Sequence, residues 1–356
     1  MHALPRYALF VAPQHLMALN ENIWAEKTVP AYLKTGVATE AIRLKYRGAH
    51  TRSYTKKSFY IRGERRESHL NADFVDPSAI RSKLSFDSFL KMNVLSPRAT
   101  HVTVSLNGAA LGVYTLLESV DQSFLKRRRL PRGDIFYAID NRANFSLRYG
   151  DDKPVLKKKM TDGYELKVRH SREAWQRLAR FIWQLNTVDE GSLKAFLVQN
   201  VAVKHYLRWL AGVVLTSNVD GFIHNYALYF HPVKKKWWII PWDYDGTWGR
   251  DCYGEPLSSH YVPLCGYNRL TERVLSVPEF KAYYVQFMTD ILTRTLAPHV
   301  LMPKIDQLMA RVRPEIARYE GEPYDIDHLL DKERQLLAAY VWKRRRFLLR
   351  ELRSYT

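Results

Sequence analysis

The apolar period changes once along this chain, and that change restricts the fold more than any other feature. In AIRLKYRG, Ile42, Leu44 and Tyr46 alternate with Arg43, Lys45 and Arg47, the period of a strand with one buried face. KKSFYIRG, ending at Gly63, predicts a second strand with Lys57, Phe59 and Ile61 on one side. HVTVSL and GVYTLLE flank Asn107-Gly108, a dipeptide that accepts the positive φ angles of a tight hairpin turn. DPSAIRSKLSFDSFLKM predicts a helix between these strands, with Asp76 as N-cap, Pro77 at its first position and Ile80, Leu84 and Phe89 on its apolar face. From about Ser171 the period is helical: Trp175, Leu178, Phe181, Ile182 and Leu185 share a face, and a second helix is expected from Leu193 to Thr216. The C-terminal third, from Val277, reads as helical again. These periods predict an α+β fold over residues 1–356, a strand-rich lobe at 1–118 preceding a mainly helical lobe at 119–356, with a ligand cleft expected between them.

Charge narrows the function. Lys and Arg number 55 against 36 Asp and Glu, a net +19, so the surface attracts nucleotide phosphates, nucleic acid or acidic protein. The clusters Lys126 to Arg129, Lys157 to Lys159, Lys234 to Lys236 and Lys343 to Arg346 read singly as solvated faces. Two cysteines, Cys252 and Cys265, make no disulfide framework, and no Cys/His spacing suggests zinc. No apolar run approaches ~18 residues and the N-terminal run is short, so neither a membrane partner nor a secretory signal is expected. The expected compartment is a reducing cytoplasm.

The informative stretch is SNVDGFIHNYALYFHPVKKKWWIIPWDYDGTWG, residues 217–249. YALYF and WWII, separated by HPVKKK, read as the strands of a hairpin. Centring it near Val233 and Lys234 sets Asn225 opposite Trp242 and beside Asp243, with Asp220 on the loop leading in. Carboxylate and amide oxygens suit Mg²⁺, which keeps waters and phosphates as its other ligands. A further carboxylate can accept the proton of an attacking hydroxyl. The D-x₄-N spacing of Asp220 and Asn225 matches the protein-kinase catalytic loop, although Asn218-Val219 stands where those kinases carry His-Arg. Asp243-Tyr244 stands at the kinase metal-binding turn, reading DYD rather than DFG, with Asp245 as a second metal candidate.

Here the chain resembles the spore-coat protein H kinases, an atypical protein-kinase-like family, from about Ile42 to Gly249 and more weakly beyond. The resemblance rests on KKSFYI, DPSAIRSKLS, VTVSLNGAALGVYTLLESVDQSFL, IHNYALYF and IIPWDYDGTWG. It implies a two-lobed kinase-like fold, Asp220 as catalytic aspartate, and Asn225 and Asp243 as metal ligands. It also implies ATP with Mg²⁺ (or Mn²⁺), Ser/Thr-rich spore-coat proteins as acceptors, and a place in the mother-cell cytoplasm and spore coat.

Residues around the nucleotide follow by position. RGAHTR, residues 47–52, sits where a kinase has its phosphate loop, so its backbone amides, Arg47 and Arg52 are candidate contacts. Lys57 resembles the strand lysine that neutralises α- and β-phosphates. Arg81 is a candidate for phosphate or a carboxylate, and the backbone near Leu117 and Glu118 for adenine. His50 and His224 lack partners at metal-ligand spacing, and Trp237, Trp238, Trp242 and Trp248 read as core and wall. Two rivals share the motif: a non-catalytic nucleotide-binding coat scaffold and a metal-dependent nucleic-acid enzyme. Retention of Asp220, Asn225 and Asp243 together argues against the first. Absence of a nucleic-acid-binding motif leaves nucleic acid unexpected as a partner.

Overall fold

The computed structural model describes residues 3–64, 66–150, 153–319 and 326–355. The chain divides into two compact units, neither continuous in sequence. The first comprises Met1–Leu84, Arg98–Ser119 and Met302–Ala338; the second comprises Ser85–Pro97, Val120–Leu301 and Ala339–Thr356.

The first unit is built on a closed barrel. Its elements are β1 (Arg6–Phe10), α1 (Pro13–Glu21), β2 (Val29–Thr35), β3 (Ala38–Arg47), β4 (Ser58–Arg62) and β5 (Glu67–Asn71). α2 (Arg81–Lys91), which belongs to the second unit from Ser85 onward, β6 (Ala99–Leu106) and β7 (Ala109–Glu118) follow. Strand order is β1-β2-β3-β4-β5-β7-β6, closed by the parallel pairing of β1 with β6. Alternation in β3 sends Ile42, Leu44 and Tyr46 into the core with Phe59, Ile61, Leu70 and Tyr114. Asn107 and Gly108 both have positive φ, +50° and +90°, and join β6 to β7 at the expected turn. Closure itself was not legible, because it depends on a β1–β6 pairing about 97 residues apart in sequence.

The helix after β5 starts later than the sequence suggested. α2 begins at Arg81, because Ala79 adopts a left-handed φ of +53° that interrupts any helix begun at Pro77. Asp76 instead caps a turn, accepting from the Ser78 N–H at 3.1 Å and the Arg81 N–H at 2.8 Å. Ile80, Leu84 and Phe89 are nevertheless buried as the pattern requires.

In the second unit α3 (Gln122–Arg127) is followed by β8 (Ile135–Ala138), β9 (Arg148–Tyr149), β10 (Val155–Leu156) and β11 (Tyr164–Val168). Then come α4 (Ala174–Thr187), α5 (Glu190–Asn200), α6 (Val203–Thr216), β12 (Tyr226–His231) and β13 (Lys236–Pro241). α7 (Arg269–Leu275) and α8 (Pro278–Asp290) follow; α9 (Pro298–Tyr319) and α10 (Ile326–Tyr355) complete the chain, with the stretch Met302–Ala338 counted in the first unit. The sheet runs β11-β8-β12-β13. α4 buries Leu178, Phe181, Ile182 and Leu185, the face its period marked. The helix expected from Leu193 to Thr216 is two helices. The Ala202 N–H leaves the helical ladder to bond the Trp237 carbonyl at 3.0 Å, and Val201 bridges to Trp237, which breaks the run. Among the described residues no helix is long and apolar enough to cross a membrane.

Candidate active site

The site begins where α6 ends. Ser217 takes a left-handed φ of +51°, which turns the chain out of the helix. The Ser217 and Asn218 N–H groups reach back to the Val214 and Val213 carbonyls at 3.2 and 3.3 Å, and donors from farther along the chain complete the helix end. Arg344 gives two hydrogen bonds to the Val214 carbonyl, at 2.6 and 3.1 Å, and one to Ser259 O at 2.9 Å. The Tyr340 hydroxyl bonds Leu215 O at 2.9 Å and Ser217 Oγ at 2.7 Å, and the Trp248 N–H bonds Thr216 O at 2.8 Å. Arg344 is fully buried, and burial pushes its pKa down. Its charge sits against the negative end of the helix. The cluster Lys343 to Arg346, expected to be solvated, therefore contains a buried structural arginine.

From this anchor the loop carries Asp220 on a 3₁₀ turn, Asp220–Phe222. Asn218 holds it from both sides. Its Oδ1 accepts the Gly221 N–H at 3.0 Å, and its Nδ2 donates to the Asp243 carbonyl at 2.9 Å. The Asp220 carboxylate is 35% exposed and stands 3.9 Å from His224 Nε2. Tyr226 pairs with Pro241 in the hairpin register, and the Trp242 N–H bonds Asn225 O at 3.1 Å. Asn225 thus lies opposite Trp242 with Asp243 next along, the register that the centred turn predicts. Asn225 and Asp243 both have left-handed φ, +56° and +60°. Asn and Asp tolerate that region better than other non-glycine residues, and such backbone concentrates at functional sites.

The acidic turn is fixed through its aromatics. Tyr244 is buried edge-on against Phe89 and Phe86, with ring centroids 4.9 and 5.6 Å away. Thr247 Oγ1 donates to Tyr244 O at 2.8 Å, and Trp248 Nε1 donates to Ser85 Oγ at 2.8 Å. Gly246 cannot carry a side chain: a Cβ there would lie 2.7 Å from the Cys252 backbone nitrogen. That approach brings the Cys252 thiol under the carboxylates. Burial first, then the charges of Asp220, Asp251 and Asp245, push it up to about 11. Asp220 and Asp245 therefore share one neighbourhood.

Asp220, Asn225, Asp243 and Asp245 are all half-buried, so their oxygens are shaped by the fold yet reachable. Among the described residues no three His, Cys, Asp or Glu side chains are grouped to hold a metal ion. A cage of protein ligands alone is not available. Carboxylate plus amide, completed by water and phosphate, is the donor set that Mg²⁺ accepts, and these residues fit it.

The barrel unit holds the other candidates. Lys57 Nζ donates to Arg52 O at 2.6 Å and stands 6.0 Å from the Tyr46 ring. Neighbouring Lys56 donates to Val113 O at 2.8 Å and acts on the buried carboxyl of Asp73. Residues 50–53 form a 3₁₀ turn; Arg52 turns inward to Gly48 O at 2.7 Å and Glu26 at 2.5 Å, and Arg47 bonds Asn71. Arg81 is fully buried between Asp76 and Glu333, with Glu333 at 3.0 Å. Leu117 is buried in β7, and Glu118 accepts the Arg98 N–H at 3.0 Å.

The family model described as CotH kinase protein matches residues 44–348. Inner spore coat protein H of Bacillus subtilis (strain 168) is 40% identical over 353 residues, 97% of this chain and 96% of that protein. The chain belongs to the CotH kinase family. The inner spore coat protein H-like protein of the same bacterium is 24% identical over 242 residues, 67% of this chain and 65% of that one. Among solved structures, the Helicobacter pylori proinflammatory kinase CtkA has a TM-score of 0.37 at 8% identity, over 93% of this chain and 92% of that one. The Shewanella oneidensis HipA–HipB–operator DNA complex gives 0.40 at 11%, over 99% and 74%.

In this CotH family chain three residues near the site escaped the sequence reading. Asn218 was visible only as a departure from His-Arg. Arg344 lay hidden in a basic run. Lys157, expected on a solvated face, is 7% exposed. Burial pushes its ammonium down to about 8, against the attraction of Asp162 and Asp140. Asp140 is held low foremost by Arg142, with His224 adding to the effect, so this group adjoins the Asp220 loop. An unusual lysine pKa is invisible in sequence because it depends on which carboxylates the fold brings near.

Proposed function

We propose that this CotH family member is a kinase of the spore coat, transferring the γ-phosphate of ATP to serine and threonine hydroxyls of coat proteins. One observation carries the reading: Asn218 bonds the Asp220 loop to the Asp243 carbonyl, while the hairpin register sets Asn225 beside Asp243. Asp220 accepts the proton of the acceptor hydroxyl and aims its oxygen at the γ-phosphorus. Its partial exposure leaves room for a protein substrate. Asn225 and Asp243, with Asp245 adjoining, would hold Mg²⁺ or Mn²⁺. When bound, the ion aligns the triphosphate and offsets its charge. Lys57, in the barrel unit, is proposed as a phosphate contact. Its change to alanine is expected to weaken ATP binding about tenfold, the scale of one charge-assisted contact, read by titration calorimetry.

The test uses the purified chain, γ-labelled ATP, Mg²⁺ or Mn²⁺ and recombinant coat proteins. Asp220→Asn keeps size and most hydrogen bonding but removes the proton acceptor. Nucleotide binding should survive while phosphoryl transfer falls by roughly 10² or more, the scale of general-base loss. Spores made with this variant should then assemble their coat as poorly as spores lacking the protein. Label transfer at the native rate would remove Asp220 from the chemistry. Normal coats without transfer would make the protein a scaffold.

A further inference from the structure

The β12–β13 hairpin has two unlike ends. Asn225 and Asp243 stand at one. At the other, a groove of ≈ 890 Å³ opens beside the turn, lined by the second unit alone. Six residues of strand separate the ends, about 20 Å at ~3.3 Å per residue, so the groove is not part of the carboxylate site.

Its lining is cationic. Arg177, Arg180, Lys234, Lys235 and Lys236 face it, and no aspartate or glutamate does. One charge is met from below. Asp134, with a side chain only 1% exposed, pairs with Arg177 at 2.7 Å. It also accepts the N–H groups of His170 and Ser171, at 2.6 and 2.9 Å, so its oxygens are taken. Among the described residues, no carboxylate pairs with Arg180, Lys234, Lys235 or Lys236. Four like charges around one concavity repel one another, and an anion seated there removes that repulsion.

We infer that this groove binds an acidic segment, rich in aspartate and glutamate, of a partner protein. Charge complementarity sets the sign, and the walls set the class. Val198 is 47% exposed and supplies aliphatic surface, while the side-chain amides of Gln184, Gln199 and Asn200 can serve a peptide backbone. Base stacking is poorly served. Trp237 is only 3% exposed, and the Phe230 ring is already covered by the Arg177 guanidinium at 4.3 Å. The inference stands apart from the kinase reading.

A fluorescein-labelled twelve-residue Asp/Glu peptide, titrated into the full chain and followed by anisotropy, tests it. Lys234→Ser/Lys235→Ser should raise Kd about tenfold or more, while Lys126→Ser/Arg129→Ser, with the same charge change at another site, should leave it within about twofold. Circular dichroism and melting of both variants should match the parent. Absence of peptide binding, or equal loss in both variants, would overturn the site. Tighter binding of a phosphoserine peptide or of oligothymidylate, with the same dependence on Lys234 and Lys235, would overturn the acidic-peptide assignment.

Discussion

The two units treat their buried charges differently. In the barrel unit, charges are consumed by each other: Arg81 is sealed between Asp76 and Glu333, each side chain no more than 1% exposed. The second unit also buries Arg344 and Asp134 for the fold, but around its candidate site the constraint falls on the backbone. Ser217, Asn225, Asp243 and Trp248 all take left-handed φ, while the carboxylates they position stay half-buried. A buried ion pair stabilises only while both partners remain. A strained loop around reachable carboxylates keeps those groups available to a ligand. The contrast separates charge that serves the fold from charge that can serve chemistry.

Arg81→Ala gives the largest expected effect. It leaves two buried carboxylates facing an empty volume, and breaking such a pair costs about 3–5 kcal/mol. Chemical denaturation should show that loss, while ATP affinity per folded molecule stays unchanged. A stable variant with weakened ATP binding would break the comparison and return Arg81 to the nucleotide.

Acidification distinguishes the units next. Burial pushes His205, in the second unit, down to about 4, outweighing its Ile239 carbonyl bond. Unfolded histidine titrates near 6.5, so between about 6.5 and 4 the unfolded chain takes a proton that the native state refuses. Stability is lost across that window as pH falls, by about 3 kcal/mol. The barrel has a matching loss at His101, also pushed to about 4 by burial. It also has an opposing group. Burial raises Asp73 to about 7, against the hydrogen bond from Thr115, so from about 7 to 4 the native state gains a proton first and is stabilised. Hydrogen exchange at pH 7 and 4.5 should therefore show the β12–β13 region losing protection before the barrel strands. Earlier loss in the barrel would contradict this ordering.

How legible each unit was follows from the same difference. Period-2 runs revealed β3 and β4, the Asn107-Gly108 turn signal revealed the β6–β7 hairpin, and turn symmetry alone revealed the β12–β13 register, because these are local patterns. Barrel closure, the break at Val201–Ala202 and the burial of Arg344 depend on partners far along the chain, with no local signal. Asp220, Asn225 and Asp243 were legible as a motif. The residue that ties them, Asn218, was not, since a bidentate amide bridge has no period or spacing.

That bridge supports the smallest expected effect, and the most specific. Asn218→Ala removes two hydrogen bonds, worth about 0.5–1.5 kcal/mol each in net stability. The cavity is small, so the fold should survive with a modest drop in melting temperature. The Asp220 loop and the Asp243 turn would no longer be held to each other, and a misplacement near 1 Å can cost up to 10²-fold in rate. Transfer from ATP should therefore fall about tenfold or more, with ATP affinity nearly unchanged. Asn218→Asp offers a control: it retains the acceptor for the Gly221 N–H but loses the donor to the Asp243 carbonyl. If the bridge is what matters, Asn218→Asp should fail as Asn218→Ala does. If Asn218→Asp keeps full activity, anchoring Gly221 suffices, and the Asp243 turn is held by Tyr244 and Trp248 alone.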